Sequence, residues 1–193
     1  MDVLKSCAVK FSELLNKKFI ITLSNLEVIT IVFKIEHFYH LIGFQYLTDL
    51  AILKRNKNVI YKEIINNKIT YNDVCFSIFI DGIIERINNF EYITEIILSN
   101  TIVKFDSKKS YSRINADYVL LRNELGKYIM LFLGKNKSHN NLFPVSFIVR
   151  EDNNYIYGQK SVSINKIEII DLIVQQEAAA TTETIIKDLK TSE

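Results

Sequence analysis

Two of the three histidines in the chain lie close together, in the segment 36–44 with the sequence EHFYHLIGF. The segment predicts a helix, and side chains three positions apart on a helix share a face. At about 100° per residue, His40 lies outside the centre of the apolar stripe that Phe38 and Ile42 define. An imidazole can both accept and donate a proton at neutral pH. His40 is therefore a candidate acid–base catalyst, and the alternative is a structural histidine at the end of a turn.

A metal site is the other chemistry that paired histidines offer. Helical zinc motifs place histidines four positions apart and add a third ligand, and neither feature accompanies His37 and His40. Cys7 and Cys75 are far apart in sequence, which favours buried free thiols in a reducing compartment. The sequence therefore predicts no metal site and no disulfide.

A second cluster combines the segments 115–122 (NADYVLLR) and 143–147 (FPVSF). Strand alternation would place Tyr118 and Arg122 on one face. The guanidinium of Arg122 offers planar donors that match phosphate oxygens, and Ser146 could add one hydrogen bond. The alternative is an exposed sheet face without chemistry. His139, in a polar loop, is interpreted as a solvated residue.

Basic residues are concentrated in the second half of the chain, although the formal net charge is only +2. Between residues 104 and 137 there are eight lysines and arginines against three acidic residues, and Lys104, Lys108 and Lys109 are among them. Such a distribution can form a basic face that attracts phosphate. The alternative is that these lysines only solvate the outer face of a sheet.

The hydrophobic pattern predicts helices in the first half of the chain and strands in the second. Helical spacing covers residues 3–15, 35–51, 59–65 and 71–87, and a hairpin is expected at 19–23 and 28–33. Strands are expected at 92–98, 101–105, 117–122, 127–134, 143–149 and 155–164. This order predicts the α+β class with an antiparallel sheet. Residues 1–173 are expected to form one domain, and residues 174–193 a polar tail that is helical or disordered.

Several function classes lack their signatures in this sequence. The start of the chain does not look like a signal peptide, and no apolar run reaches transmembrane length, so a soluble cytoplasmic protein without membrane association is expected. Phosphate-binding glycine motifs are missing and the chain has only five glycines, so no nucleotide cofactor is expected.

Six short segments resemble the phage-associated branch of the barnase–EndoU–colicin–RelE nuclease-like superfamily. They have the sequences CAVKF, VFK, FYHLIGF, NADY, LFL and FPVSF, at residues 7–11, 32–34, 38–44, 115–118, 131–133 and 143–147. The most specific part is His-Leu-x-Gly at residues 40–43. The resemblance covers about residues 3–170 and leaves the tail outside.

This resemblance implies a helical layer packed on a curved antiparallel sheet, and a metal-independent ribonuclease or toxin-like activity. The 2′-hydroxyl of RNA would attack the adjacent phosphate, with His40 as general base or acid. Arg122 and Lys104 would stabilise the phosphate charge, and Ser146 would complete the catalytic set. RNA would bind through Lys104, Lys108, Lys109 and Tyr118. The alternative function is an inert module of a mobile element that binds a host defence protein, and a host or cognate immunity protein is the expected protein partner.

Overall fold

The computed structural model of the protein describes residues 1–135 and 141–173. Within these residues, five α-helices and seven β-strands alternate with short 3₁₀ turns. The helices are α1 (Val3–Ser12), α2 (Ile35–Leu41), α3 (Lys57–Ile65), α4 (Asp81–Asn88) and α5 (Ile93–Ile97). The strands are β1 (Lys17–Leu23), β2 (Val28–Val32), β3 (Thr101–Lys104), β4 (Tyr118–Glu124), β5 (Lys127–Lys135), β6 (Asn141–Arg150) and β7 (Lys160–Asp171).

The seven strands form a closed barrel in the order β1-β2-β6-β5-β4-β3-β7, in which β7 returns to pair with β1. All neighbouring strands are antiparallel except β2 and β6, which run parallel. The expected α+β arrangement of N-terminal helices packed on a curved antiparallel sheet is therefore wrong, because the sheet is closed into a barrel. The barrel leaves no free sheet edge, because β1 and β7, the first and last strands of this order, pair with each other.

Strand β7 is the element that closes the barrel. Its first residues pair with β3, and the rest of the strand pairs with β1 from Leu23↔Ile164 to Lys17↔Asp171. The sequence predicted this strand at 155–164, several residues too early and without its β1-pairing half. Most β7 side chains are exposed or half-buried, so the strand lacks the clear apolar alternation that predicts strands.

Three further predictions of local structure were wrong. The helix expected at 35–51 ends at Leu41 and is followed by 3₁₀ turns. The helix expected at 71–87 is a 3₁₀ turn followed by α4 alone. Between them, the carboxylate of Asp49 accepts hydrogen bonds from the Ser77 hydroxyl at 2.6 Å and the Ile78 amide at 3.1 Å, which ends the helical ladder. The strand expected at 92–98 is α5, whose buried isoleucines follow helical spacing despite their strand propensity.

The helices and one face of the strands share the main hydrophobic core. Its centre is an aromatic cluster in which Phe38 of α2 packs edge-on against Tyr61 of α3 and Phe90, with ring centroids 5.3 and 5.6 Å apart. A second, smaller core lies on the other face of β3 to β6, around Phe105 and Phe132. The main core therefore fixes α2 and α3 against each other.

Both cysteines are free thiols; Cys7 is buried and Cys75 is half-buried. Burial raises the pKa of the Cys7 thiol to about 12, so it stays protonated. Within residues 1–135 and 141–173, no helix is long and apolar enough to cross a bilayer. The predicted tail at 174–193 lies outside the described residues.

Candidate active site

Helix α2 presents both of its histidines to one cleft of about 600 Å³. Phe38 and Leu41 of the helix are buried in the main core, so His37 and His40 lie on its other side, as their spacing predicted. The opposite wall is the start of β6, and Lys57 at the start of α3 completes the rim. The residues with polar side chains that line the cleft are Lys34, Glu36, His37, His40, Lys57 and Asn141.

His37 is held in one orientation as a neutral imidazole. Its Nδ1 accepts a hydrogen bond from the backbone amide of Lys34 at 3.0 Å, which leaves the ring proton on Nε2. The ring stacks on Phe143 of β6, with centroids 6.2 Å apart. Burial lowers the pKa of His37 to about 4. At neutral pH this residue can donate a hydrogen bond from Nε2, but it carries no charge.

His40 forms the closest polar contact in the cleft. Its Nε2 lies 2.6 Å from the ammonium nitrogen of Lys57. A protonated lysine has donors only, so Nε2 of His40 accepts this hydrogen bond through the lone pair of a neutral imidazole. Burial and the nearby charge of Lys57 both lower the pKa of His40, and the neighbouring Gln45 side chain partly opposes them. His40 is therefore deprotonated at neutral pH and can accept a proton.

Lys57 is the residue of the cleft that sequence reasoning missed. It is the first residue of α3, after the N-cap Asn56, so its charge adds to the positive end of the helix dipole. The packing of Tyr61 on Phe38 holds α3 beside α2 and brings the lysine to His40. The basic run Lys54-Arg55-Asn56-Lys57 was the available signal. The cleft thus combines a base with a cation that suits phosphate.

Lys104 and Tyr118 lie together, but in a different cluster. They are paired residues on β3 and β4, and both contact Glu27 from the β1–β2 turn. The ammonium of Lys104 lies 2.6 Å from Glu27, and the Tyr118 hydroxyl donates a short hydrogen bond to the same carboxylate. The hydrogen bond from Lys104 and, to a smaller extent, that from Tyr118 lower the pKa of Glu27 to about 2. The charge of Lys104 is therefore already balanced by a carboxylate.

Arg122 forms a third group at the far end of β4. Its guanidinium lies 2.7 Å from Glu95 of α5 and 2.6 Å from Glu124, and it stacks over the ring of Tyr92. These carboxylates raise its pKa further. The structure does not bring Arg122 to the histidine cleft, and it gives the guanidinium two acidic partners.

The other predicted site residues are dispersed. Ser146 is buried on β6 opposite Phe132, which belongs to the second core, although residues 141–145 of the same strand line the cleft. Lys108 and Lys109 lie in the exposed β3–β4 connection, where the Lys109 ammonium donates to the Gly158 carbonyl at 3.2 Å. His139 lies outside the described residues. Of the predicted catalytic set, only His40 lines the cleft.

The arrangement in the cleft suits proton transfer next to an anion. It offers a neutral base at His40, a neutral donor at His37, and an ammonium at Lys57. Among the residues that the structure describes, no group of three His, Cys, Asp or Glu side chains is placed to hold a metal ion. The chemistry derived from these residues is acid–base and electrostatic.

A family described as phage-Barnase-EndoU-ColicinE5/D-RelE like nuclease4 matches residues 3–192. The match extends beyond the region of about 3–170 to which the sequence resemblance had been limited. No curated protein and no solved structure matches the chain.

Proposed function

This chain belongs to the phage-Barnase-EndoU-ColicinE5/D-RelE like nuclease4 family, and from that premise we propose that it is a metal-independent, toxin-type ribonuclease that acts on RNA in the cytoplasm. The observation that carries the proposal is the contact between His40 and Lys57 at 2.6 Å, at the rim of a cleft of about 600 Å³. A base and a phosphate-binding cation in contact are what transesterification of RNA requires.

In the proposed reaction, an RNA phosphate enters the cleft and draws the Lys57 ammonium toward its oxygens. This movement frees Nε2 of His40 to take the proton of the adjacent 2′-hydroxyl. The bond from O2′ to phosphorus forms as the bond from phosphorus to O5′ breaks, which leaves a 2′,3′-cyclic phosphate. DNA lacks the attacking hydroxyl and would not be cleaved.

The same pair of residues completes the proton balance. The departing 5′ oxygen takes a proton from Lys57, and the imidazolium of His40 then returns the substrate's proton to the neutral amine. When Lys57 returns to its resting position 2.6 Å from His40, this transfer needs no bridging water. The Nε2–H of His37 donates to a phosphate oxygen. Lys57 thereby takes the role that sequence reasoning gave to Arg122 and Lys104.

Cleavage of total RNA by the purified protein tests the proposal. We expect wild type to cleave RNA in EDTA, and His40→Ala and Lys57→Gln each to lose at least about a hundredfold in rate. His40→Asn should fail equally, because an amide cannot carry the proton. Melting temperatures should stay close to wild type, since neither side chain fills the main core.

Lys62→Gln is the matched control for Lys57→Gln. Lys62 lies on the same helix, is exposed, and does not line the cleft. The Lys62→Gln variant should cleave RNA at the wild-type rate. A wild-type protein that leaves RNA intact both in EDTA and with magnesium would overturn the proposed activity.

Protein binding is the second candidate function, and exposed apolar side chains favour it. Phe76 and Ile78 are 86% and 79% exposed in the segment before α4, and exposed apolar groups in one segment are a common feature of interaction surfaces. In that case the protein would be an inert module that binds a host or cognate immunity protein. Substituting both residues with serine should then abolish partner binding, whereas His40→Ala should preserve it.

A further inference from the structure

Arg86 of α4 is a buried cation with an unsatisfied donor. Its side chain is only 9% exposed, and its Nη1 has no hydrogen-bond partner among the residues that the structure describes. The guanidinium carbon lies 5.1 Å from the ring centroid of Tyr46. A buried charge is costly unless it is paired or hydrogen-bonded. An anionic ligand at this position would supply the missing acceptor.

The cleft around Arg86 is rich in arginine. It has a volume of about 440 Å³ and is lined by Arg86, Arg113 and Arg150, with Glu85 as the acidic residue. Glu85 is already paired with Lys127 at 2.6 Å, and Arg150 with Asp152 at 3.2 Å. Arg86 and Arg113 therefore leave an excess of positive charge. Planar guanidinium donors bind phosphate oxygens well. We call this space the arginine cleft.

Aromatic rings stand beside these charges. Tyr111 lines the arginine cleft and is 97% exposed, and Tyr46, on the boundary of the cleft, is 49% exposed. Nucleobases stack on exposed aromatic rings of this kind, whatever the base. Arginines for phosphate and tyrosines for bases are the combination that proteins use to bind single-stranded nucleic acid.

A second cleft adjoins the first one. It has a volume of about 570 Å³ and shares Tyr46, Gly82 and Arg86 with the arginine cleft, while Phe79 adds an apolar wall. The Oε1 of Gln45, another residue lining this second cleft, is buried and has no hydrogen-bond partner among the described residues. The two clefts together offer acceptors and donors next to aromatic surface, as the edge and face of a base require.

We propose that these two clefts form one groove that binds a segment of single-stranded RNA, with a phosphate on Arg86 and Arg113 and bases against Tyr46 and Tyr111. The inference rests on the proposed function for its choice of RNA as the ligand. It adds a substrate-binding subsite that is separate from the histidine cleft. Gln45 links the two places, because its Nε2 donates to the backbone carbonyl of His40 at 3.3 Å.

Gly82 provides a variant that blocks the groove and spares the fold. It lies between the two clefts on α4, and a Cβ built on it would meet no atom within 4 Å. Leucine at this position would project into open space where the ligand is proposed to lie. Gly82→Ala is the matched control, because one methyl group leaves most of the groove open.

The test is binding of a 2′-O-methyl uridine hexanucleotide, which lacks the attacking hydroxyl, measured by fluorescence anisotropy. We expect Gly82→Leu and Arg86→Met to weaken binding at least about tenfold, Tyr111→Ala about tenfold, and Gly82→Ala less than twofold. Gly82→Leu and Tyr111→Ala remain informative if Arg86→Met fails to fold. Unchanged binding in Gly82→Leu and Tyr111→Ala would overturn the inference.

Two further measurements identify the ligand and distinguish failure of the groove from failure of the proposed catalysis. An oligoglutamate peptide that displaces the hexanucleotide and binds more tightly would overturn the inference in favour of an acidic protein partner. Binding that depends on Gly82, in a protein that does not cleave RNA, would support the groove while the proposed catalysis fails. Cleavage of RNA together with binding insensitive to Gly82→Leu would reject the groove alone.

Discussion

The imidazole of His37 stacks on the ring of Phe143, with the planes 28° apart. The contact joins α2 to the start of β6, which are the two walls of the histidine cleft. The ring is neutral at pH 7, because burial lowers its pKa to about 4. The protonation of one side chain therefore affects how firmly the two walls are held together.

The first prediction follows from this contact and concerns stability in acid. As pH falls below about 6.5, His37 takes up a proton in the unfolded chain but stays neutral in the folded protein down to about pH 4. The free energy of unfolding should therefore decrease across this window. His37→Gln keeps an acceptor for the Lys34 amide and removes the titration. Because the His37 ring is partly exposed, we expect the His37→Gln variant to lose only about 1–2 kcal/mol less unfolding free energy than wild type across this window.

Urea unfolding at pH 7.5, 5.5 and 4.5 measures this difference. Carboxylates also titrate in the same range, so the relevant quantity is wild type minus variant at each pH. Parallel curves for the two proteins would show that His37 does not couple pH to stability.

The second prediction concerns the pH dependence of RNA cleavage. The base must be neutral to act, and the pKa of His40 is lowered by burial and by Lys57. The acid limb of the kcat/KM profile should therefore lie below pH 6.5. Lys57→Gln removes one of these causes, so its residual activity should show an acid limb at higher pH, whereas Lys62→Gln should leave the limb in place. An acid limb above pH 6.5 in wild type would contradict the assignment of His40 as the base.

The third prediction compares lysines that attract RNA. Lys108 and Lys109 are exposed, whereas Lys104 is paired with Glu27 at 2.6 Å. Changing Lys108 and Lys109 together to glutamine should reduce the slope of log affinity against log salt by about 1.4, at roughly 0.7 for each released counterion. Lys104→Gln should change the slope by much less than the roughly 0.7 expected for one unpaired lysine. A change of about 0.7 in Lys104→Gln, in binding titrations from 50 to 300 mM salt (about a sixfold range that resolves such slopes), would show that the Glu27 pair does not matter.

The fourth prediction contrasts two glycines. Gly43 has φ +94°, and a Cβ on it would lie 2.6 Å from Cγ2 of Ile83. Gly43→Ala should therefore destabilise the protein by about 1–3 kcal/mol. Gly82 lies in α4 with open space around it, so Gly82→Ala should be neutral or stabilise by about 0.5 kcal/mol. Thermal unfolding of the two variants checks this, and similar melting temperatures would contradict the strain at Gly43.

Sequence reasoning found the parts of the site that depend on local periodicity. The spacing of Phe38, Leu41 and the two histidines predicted which face of α2 is free, and the structure agrees. It could not find Lys57, because that residue reaches His40 only through the packing of Tyr61 on Phe38, a contact between two helices. Arg122 matched a phosphate ligand by type, but its partner Glu95 comes from α5 through a tertiary contact, and Glu124 lies two residues further along the same strand.

The fold was harder to predict for a similar reason. Closure of the barrel depends on β7, whose mostly exposed side chains carry little apolar pattern. Helix α5 consists largely of isoleucine and was predicted as a strand. The strand propensity of isoleucine disagrees there with the helical spacing of the buried residues. In both cases the outcome is decided by partners that are distant in sequence.

The parallel pairing of β2 with β6 has a consequence for how the barrel opens. Within residues 1–135 and 141–173, these strands are joined over two residue pairs, Thr30↔Asn141 and Ile31↔Leu142, whereas β1 and β7 are joined over seven. Local opening follows the segments with the fewest shared hydrogen bonds. Amide hydrogen exchange should therefore be fastest, among the barrel's strand pairs, at this junction. Because residues 141–145 also form a wall of the histidine cleft, the cleft lies at the place where the ring of strands separates most readily.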